Sequence, residues 1–141
     1  MKHWPPSIAS IARLTTGVFT GNLSMVPEAP AQAGTRVFEL RTYTSHEGKL
    51  DEVVARFRNH TIKLFEKHGL TNIGYWVPRE QPNTLIYMIA HPSRDAATGN
   101  WDAFRKDADW IGARAASEAN GPLVAKVQSV FMDPTNFSGI K

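Results

Sequence analysis

The chain has 141 residues, 42% hydrophobic and 21% charged, enough for one domain with a packed core plus an extension and too apolar for wholesale disorder. Its net charge of +3 comes from lysines and arginines interleaved with acids, as in "RFRNHTIKLFEKHG", with no dense basic stripe, so nucleic acid is not an expected partner. The lack of cysteine excludes disulfides, thiol catalysis and zinc sites of the Cys type, and no apolar run is long enough to span a bilayer.

Residues 1–35 differ in texture from the rest. They hold Pro5, Pro6, Pro27 and Pro30, many small residues, and only Lys2, Arg13 and Glu28 as charges. Ala31 and Ala33 form an A-x-A pattern and Lys2 gives a positive start, as in a secretory signal, but Arg13, Gly17 and Gly21 dilute the apolar stretch between them. Three readings stand: an odd signal peptide, a disordered tail, or an upstream extension of a chain that starts at Met25. The expectation is a disordered or non-native extension on a cytoplasmic protein, with export and cleavage after Ala33 as the alternative.

From residue 36 the pattern sharpens. "RVFELRTY" (36–43) predicts strand one. After Gly48, Leu50, Val53, Val54, Phe57, Thr61, Leu64, Phe65 and His68 recur at three- and four-residue steps, one apolar stripe of a helix that Gly69 ends. "NIGYWVP" (72–78) predicts strand two and "TLIYMIA" (84–90) strand three. Ser93 caps a second helix, with Asp95 in its first turn; Gly99 and Asn100 predict a break before Trp101 and Phe104. Asp107 caps a further helical stretch running to Gly121-Pro122, and "LVAKVQSVFM" (123–132) is strand four.

The order strand–helix–strand, strand–helix–strand predicts an α+β fold of the ferredoxin-like type, a four-stranded antiparallel sheet with helices on one face. The other face needs a cover. Alternation along strand one puts Val37, Glu39, Arg41 and Tyr43 on one side. Those residues are expected on the uncovered face, with Leu85, Tyr87, Ile89 and His91 from strand three and Trp76, beside Gly74 and Asn72, from strand two. Ile86, Met88 and Ala90 are then expected under the helices. So much aromatic surface marks an interaction site, and two copies pressing these faces together would enclose a cavity. The expected partner is therefore the chain itself, as a homodimer.

Four stretches, "FELRTYTSHEGKLDEVVARFRNHTIKLFEKHGL", "NIGYWVP", "LIYMIAHPSRDAATGNWDAFRKDADW" and "PLVAKVQSVFMDPTNFS", together resemble a NIPSNAP-family domain over residues 36–138. The resemblance implies a dimeric α+β barrel of ferredoxin-like subunits. Bacterial members are mostly uncharacterised; eukaryotic relatives are mitochondria-associated, with proposed roles in trafficking or signalling. The wider superfamily includes cofactor-independent monooxygenases, isomerases and haem enzymes. The resemblance carries over no catalytic residue set, and residues 1–35 fall outside it.

The residues themselves nominate a cavity lining of Glu39, Arg41, Tyr43, Trp76, Tyr87 and His91. Glu39 and Arg41, two apart on one strand, are either a satisfied ion pair at an interface rim or a charge presented to an anionic or carbonyl group, with Glu39 orienting Arg41. Trp76 and Tyr87 suit either a pocket for a flat apolar ligand or an interface. His60 and His68 read as packing and helix-end residues; His91 ends strand three and would point into the cavity. No two histidines sit at metal-ligand spacing on one helix face, so no metal site is expected. Nucleophile-elbow, P-loop and dinucleotide motifs are absent, and no cofactor is expected. Two functions result, a small hydrophobic, aromatic or quinone-like ligand held and oxidised or isomerised without a cofactor, and a non-enzymatic interaction module. Haem ligation by His91 is a weaker third.

Overall fold

A computed structural model describes residues 36–141. Every expectation for residues 1–35 lies outside the described residues. Four strands, β1 (Val37–Ser45), β2 (Thr71–Trp76), β3 (Thr84–His91) and β4 (Val124–Met132), form one antiparallel sheet in the order β2-β3-β1-β4. Between β1 and β2 run α1 (Leu50–Arg56), a π-helical turn (Phe57–Thr61) and α2 (Ile62–Lys67); between β3 and β4 run α3 (Arg94–Lys106) and α4 (Ala108–Ser117). This is the ferredoxin-like arrangement that the element order predicts.

The π turn follows from the spacing of the stripe. Val53, Phe57, Thr61 and Phe65 are all buried and each lies four residues from the next. On a regular helix of 3.6 residues per turn each such step drifts by about 40°, and one wider turn resets the register. The Thr61 hydroxyl donates to the Arg56 carbonyl at 3.3 Å inside that turn. Phe57 and Phe65 thereby both reach Tyr87 on the sheet, at 5.1 and 6.0 Å between ring centres.

Helix α3 passes unbroken through Gly99 and Asn100, contrary to the expected break. Ala97, Trp101 and Phe104 are buried along its inner side, and burial of two large rings, roughly 1.5–3 kcal/mol each, outweighs the cost of about 1 kcal/mol for a helical glycine. Asn100 also donates to the Gly69 carbonyl at 3.3 Å, fastening α3 to the left-handed turn (φ 74°) that ends α2. The caps are as read from sequence: Ser93 Oγ accepts from the Ala96 amide at 3.0 Å, and Asp107 Oδ1 accepts from the Asp109 amide at 2.8 Å.

One expectation is reversed. The helices cover the face that carries Glu39, Arg41, Tyr43, Leu85, Tyr87, Ile89 and His91. Leu85, Tyr87 and Ile89 join Val53, Phe57, Leu64, Phe65, Trp101 and Phe104 in a single core. The bare face instead carries Leu40 and Thr42, paired with Met88 and Ile86 on β3 and with Val130 and Gln128 on β4. Trp76 alone among the nominated residues lies there, opposite Ile86; its ring folds back over Gly74. Both faces of β3 are apolar, so alternation fixes which residues share a side and not which side the helices take. A register shift between Asn72 and Gly74 also turns Asn72 to the helix side, where its amide donates to the Ile62 carbonyl at 3.1 Å.

Candidate functional site

The covered face is organised by Glu39. This carboxylate sits mid-sheet, 1% exposed, opposite Ile89 on β3 and Phe131 on β4. Its Oε1 accepts from Arg41 Nη1 at 2.7 Å and Ser129 Oγ at 2.6 Å. Its Oε2 accepts from His91 Nε2 at 2.8 Å and from the Trp101 indole at 2.7 Å. Four donors fill the acceptor sites of one carboxylate. Burial by itself would raise its pKa; the bonds from His91, Ser129, Trp101 and Arg41 together outweigh burial and hold it at about 2. The ion is therefore a structural post that ties three strands to α3.

Arg41 is the post's exposed end. One nitrogen is committed to Glu39, while the guanidinium lies over the Trp101 ring at 4.4 Å and over Tyr43 at 5.7 Å. Burial works against the cation, and Tyr87, Tyr43 and Glu39 more than offset it, so its pKa lies above the ordinary arginine value. Its Nε is buried without a partner among the described residues.

A second arginine repeats the arrangement from the helical layer. Arg56 closes α1 on the stripe side and its side chain is 3% exposed. Its Nη1 donates to Ser117 Oγ at 3.2 Å and to Glu118 Oε1 at 3.0 Å. Its guanidinium lies over Trp110 at 5.3 Å, and its Nε too is buried without a partner. Glu118 also meets Arg114 at 3.3 Å. Partial burial raises the Glu118 pKa, and the two arginines more than reverse this, leaving it below the usual carboxylate value.

Arg41 and Arg56 both line one cleft of about 280 Å³. Arg41, Tyr43 and Val127 are its sheet side; Trp101, Phe104 and Arg105 come from α3; Trp110, Arg114 and Glu118 come from α4 and the turn after it. The segment from Pro122 to Lys126 forms the rim. The cleft opens because β4 is an edge strand that the helices do not reach, and Val127 stays 45% exposed. Chemically it is a slot walled by aromatic rings and lined by four arginines with one carboxylate, already engaged. Its size is near the lower end for ligand pockets, roughly 300–1,000 Å³.

Of the six nominated residues, Arg41 and Tyr43 line the cleft. Glu39, Tyr87 and His91 lie buried behind it, and Trp76 is on the opposite face. His91 is wholly buried, bonded to Glu39 and packed 5.9 Å from the Phe131 ring; a haem iron could reach it only by displacing those neighbours. His60 is exposed, and His68 bonds Asp107 at 2.6 Å, tying the end of α2 to the cap of α4. Sequence reasoning missed Arg56 and Ser129 as partners, and read Trp101 as core only. Arg56 had a signal: it sits three residues past Val53, a charge inside the apolar stripe, as Glu39 is a charge inside an apolar strand.

Comparison with known proteins places this geometry among relatives. The family profile described as NIPSNAP matches residues 38–139. A NIPSNAP family protein of unknown function from Agrobacterium tumefaciens is similar in structure, with a TM-score of 0.67 and 19% identity over 77% of this chain and 96% of that one. An uncharacterised NIPSNAP-like domain protein from Burkholderia xenovorans gives 0.66 and 17%, over 74% and 90%. A protein assigned as an antibiotic biosynthesis monooxygenase from Nitrosomonas europaea shares the fold at 0.55 and 12% identity, over 75% and 96%. Among curated proteins none matches. No helix among the described residues is long and apolar enough to cross a membrane.

Proposed function

The chain belongs to the NIPSNAP family, and on that premise we propose that it acts as a homodimer that holds a small hydrophobic or aromatic molecule in the cleft between its sheet and helices α3 and α4. One observation carries the reading: Tyr43, Trp101, Phe104 and Trp110 converge on a single opening that also presents the half-buried Arg41 and the buried Arg56. Pockets built of rings with a few placed polar groups are ligand sites by composition. The cleft lies within one subunit, under the helices, and replaces the expected cavity between two subunits.

The geometry favours binding over turnover. Glu118 is held by Arg56 and Arg114, and Glu39 is saturated by four donors, so neither carboxylate is placed to move a proton. Oxygenation or isomerisation without a cofactor is the extension of the reading; it rests on fold likeness to the Nitrosomonas protein, which is likeness of fold alone.

The dimer reading is supported by the bare sheet face. Leu40, Ile86, Met88, Trp76 and Val130 form a continuous apolar surface through direct cross-strand pairs, with no charge in its middle rows. Trp76 and Val130 are 52% and 55% exposed, and large apolar side chains exposed together on one face mark an interaction surface. A second copy of the same face is its natural cover, as two sheets stack about 10 Å apart. A thermal-shift screen of aromatic acids and quinones tests the ligand reading, since a molecule that binds only the folded state raises the melting temperature. Melting unchanged by every compound at millimolar concentration counts against it.

A further inference from the structure

We infer that the cleft selects a planar aromatic acid, whose carboxylate docks between Arg41 and Arg56 while its ring lies among Trp101, Trp110 and Tyr43. The inference rests on the ligand reading above and adds the ligand's charge.

Three observations carry it. The first is charge. Four arginines line the cleft. Glu39, Glu118 and Asp102 are bonded to members of that set at 2.7, 3.0 and 2.6 Å. One positive charge is left in excess, and Lys126 at the rim adds another. A monoanion fits that excess.

The second is hydrogen bonding. Buried guanidinium N–H groups are costly to leave unmet. Arg41 Nη2 and Arg56 Nη2 donate to nothing among the described residues and, unlike the Nε atoms, are not sealed from solvent, on two arginines that face the same opening. Two unmet donors match the two oxygens of a carboxylate. Each arginine already spends another nitrogen on an internal carboxylate, Glu39 or Glu118, so its plane is fixed before a ligand arrives and little ordering remains to be done on binding.

The third is the aromatic lining. Each of the two arginines is stacked on a tryptophan, Arg41 on Trp101 and Arg56 on Trp110. Those stacks orient both guanidinium groups and leave ring surface on the cleft side. An aliphatic acid would meet the charge and forgo the rings; a neutral arene would do the opposite.

The experiment compares 1-naphthoate with the neutral, near-isosteric 1-naphthamide, binding each to the full chain by calorimetry at low salt. The expected result is tighter binding of the acid by about tenfold or more, as befits charge-assisted bonds. Arg56→Gln should bring the two compounds level by weakening the acid alone, whereas Arg58→Gln, an exposed arginine on the outer side of the π turn, should leave the wild-type ratio in place. Should Arg56→Gln not fold, the acid–amide ratio of the wild type decides by itself. Equal affinity for acid and amide overturns the inference and leaves the aromatic-binding reading intact. Failure of the wild type to bind either compound overturns both.

Discussion

The Trp101 indole and the Glu39 carboxylate meet at 2.7 Å, a bond that ties the middle of β1 to the inner side of α3. It links stability to the cleft, because the same ring carries Arg41 on its face. Trp101→Phe keeps most of the packing and deletes the donor. We expect a loss of about 1.5–3 kcal/mol, the range for hydrogen bonds to charged groups, read by urea unfolding. A loss within a few tenths of a kcal/mol would contradict the role given to this bond.

Acid should expose the Glu39 post. Its folded pKa of about 2 lies below the unfolded value of roughly 4.3. The stabilisation is therefore complete above about pH 4.5 and is lost as pH falls from there toward 2, in total on the order of 3 kcal/mol. Glu39→Gln should be destabilised near neutral pH and should lack this part of the acid slope. Asp107 and Glu118 also have lowered pKa values, Asp107 chiefly through Lys67 and His68, so the variant keeps some slope of its own. The difference between the two unfolding curves against pH isolates Glu39; parallel curves would refute the assignment.

Arg41→Lys separates charge from shape. The lysine keeps a cation beside Glu39 and loses both the guanidinium's place over the Trp101 ring and its second donor arm. Affinity for an aromatic acid should fall about tenfold, while chemical-denaturation stability changes by less than about 1.5 kcal/mol. Calorimetry and unfolding on the same preparation check both. Unchanged affinity would remove Arg41 from the binding site.

The bare face should hold the dimer. Val130→Asp places a charge where a single subunit is already exposed to solvent, so the subunit fold survives and association does not. Gly74→Ala acts indirectly: its Cβ would sit 2.5 Å from Trp76 Cη2, and the indole must leave its place over β2. Sedimentation equilibrium should show a dimer for the wild type, a monomer with native circular dichroism for Val130→Asp, and a weakened dimer for Gly74→Ala. A monomeric wild type would end the proposal for this face.

How much of this was legible follows from particular residues. The strands, the caps at Ser93 and Asp107 and the stripe from Val53 to Phe65 are local patterns, and each appears where the sequence puts it. The sharing of one side by Glu39, Arg41, Tyr43, Tyr87 and His91 is likewise a matter of alternation. Which side the helices cover is not local. It depended on a donor set for Glu39 assembled from β1, β3, β4 and α3, whose members Trp101 and Ser129 lie 62 and 90 residues away in the chain. A charge in a strand looks like a surface mark until its partners are known. The helix break foreseen at Gly99 failed for the same reason, since the burial of Trp101 and Phe104 outweighs a local preference.

The most direct measurement uses the indoles of Trp76, Trp101 and Trp110 as reporters in a proton–nitrogen NMR spectrum, with naphthoate titrated into the full chain. Trp101 and Trp110 line the cleft and Trp76 lies on the opposite face of the sheet. The indole signals of Trp101 and Trp110 should move together and saturate, while that of Trp76 stays in place. Movement of Trp76 with the cleft pair silent would relocate the ligand to the bare face of the sheet and contradict the account.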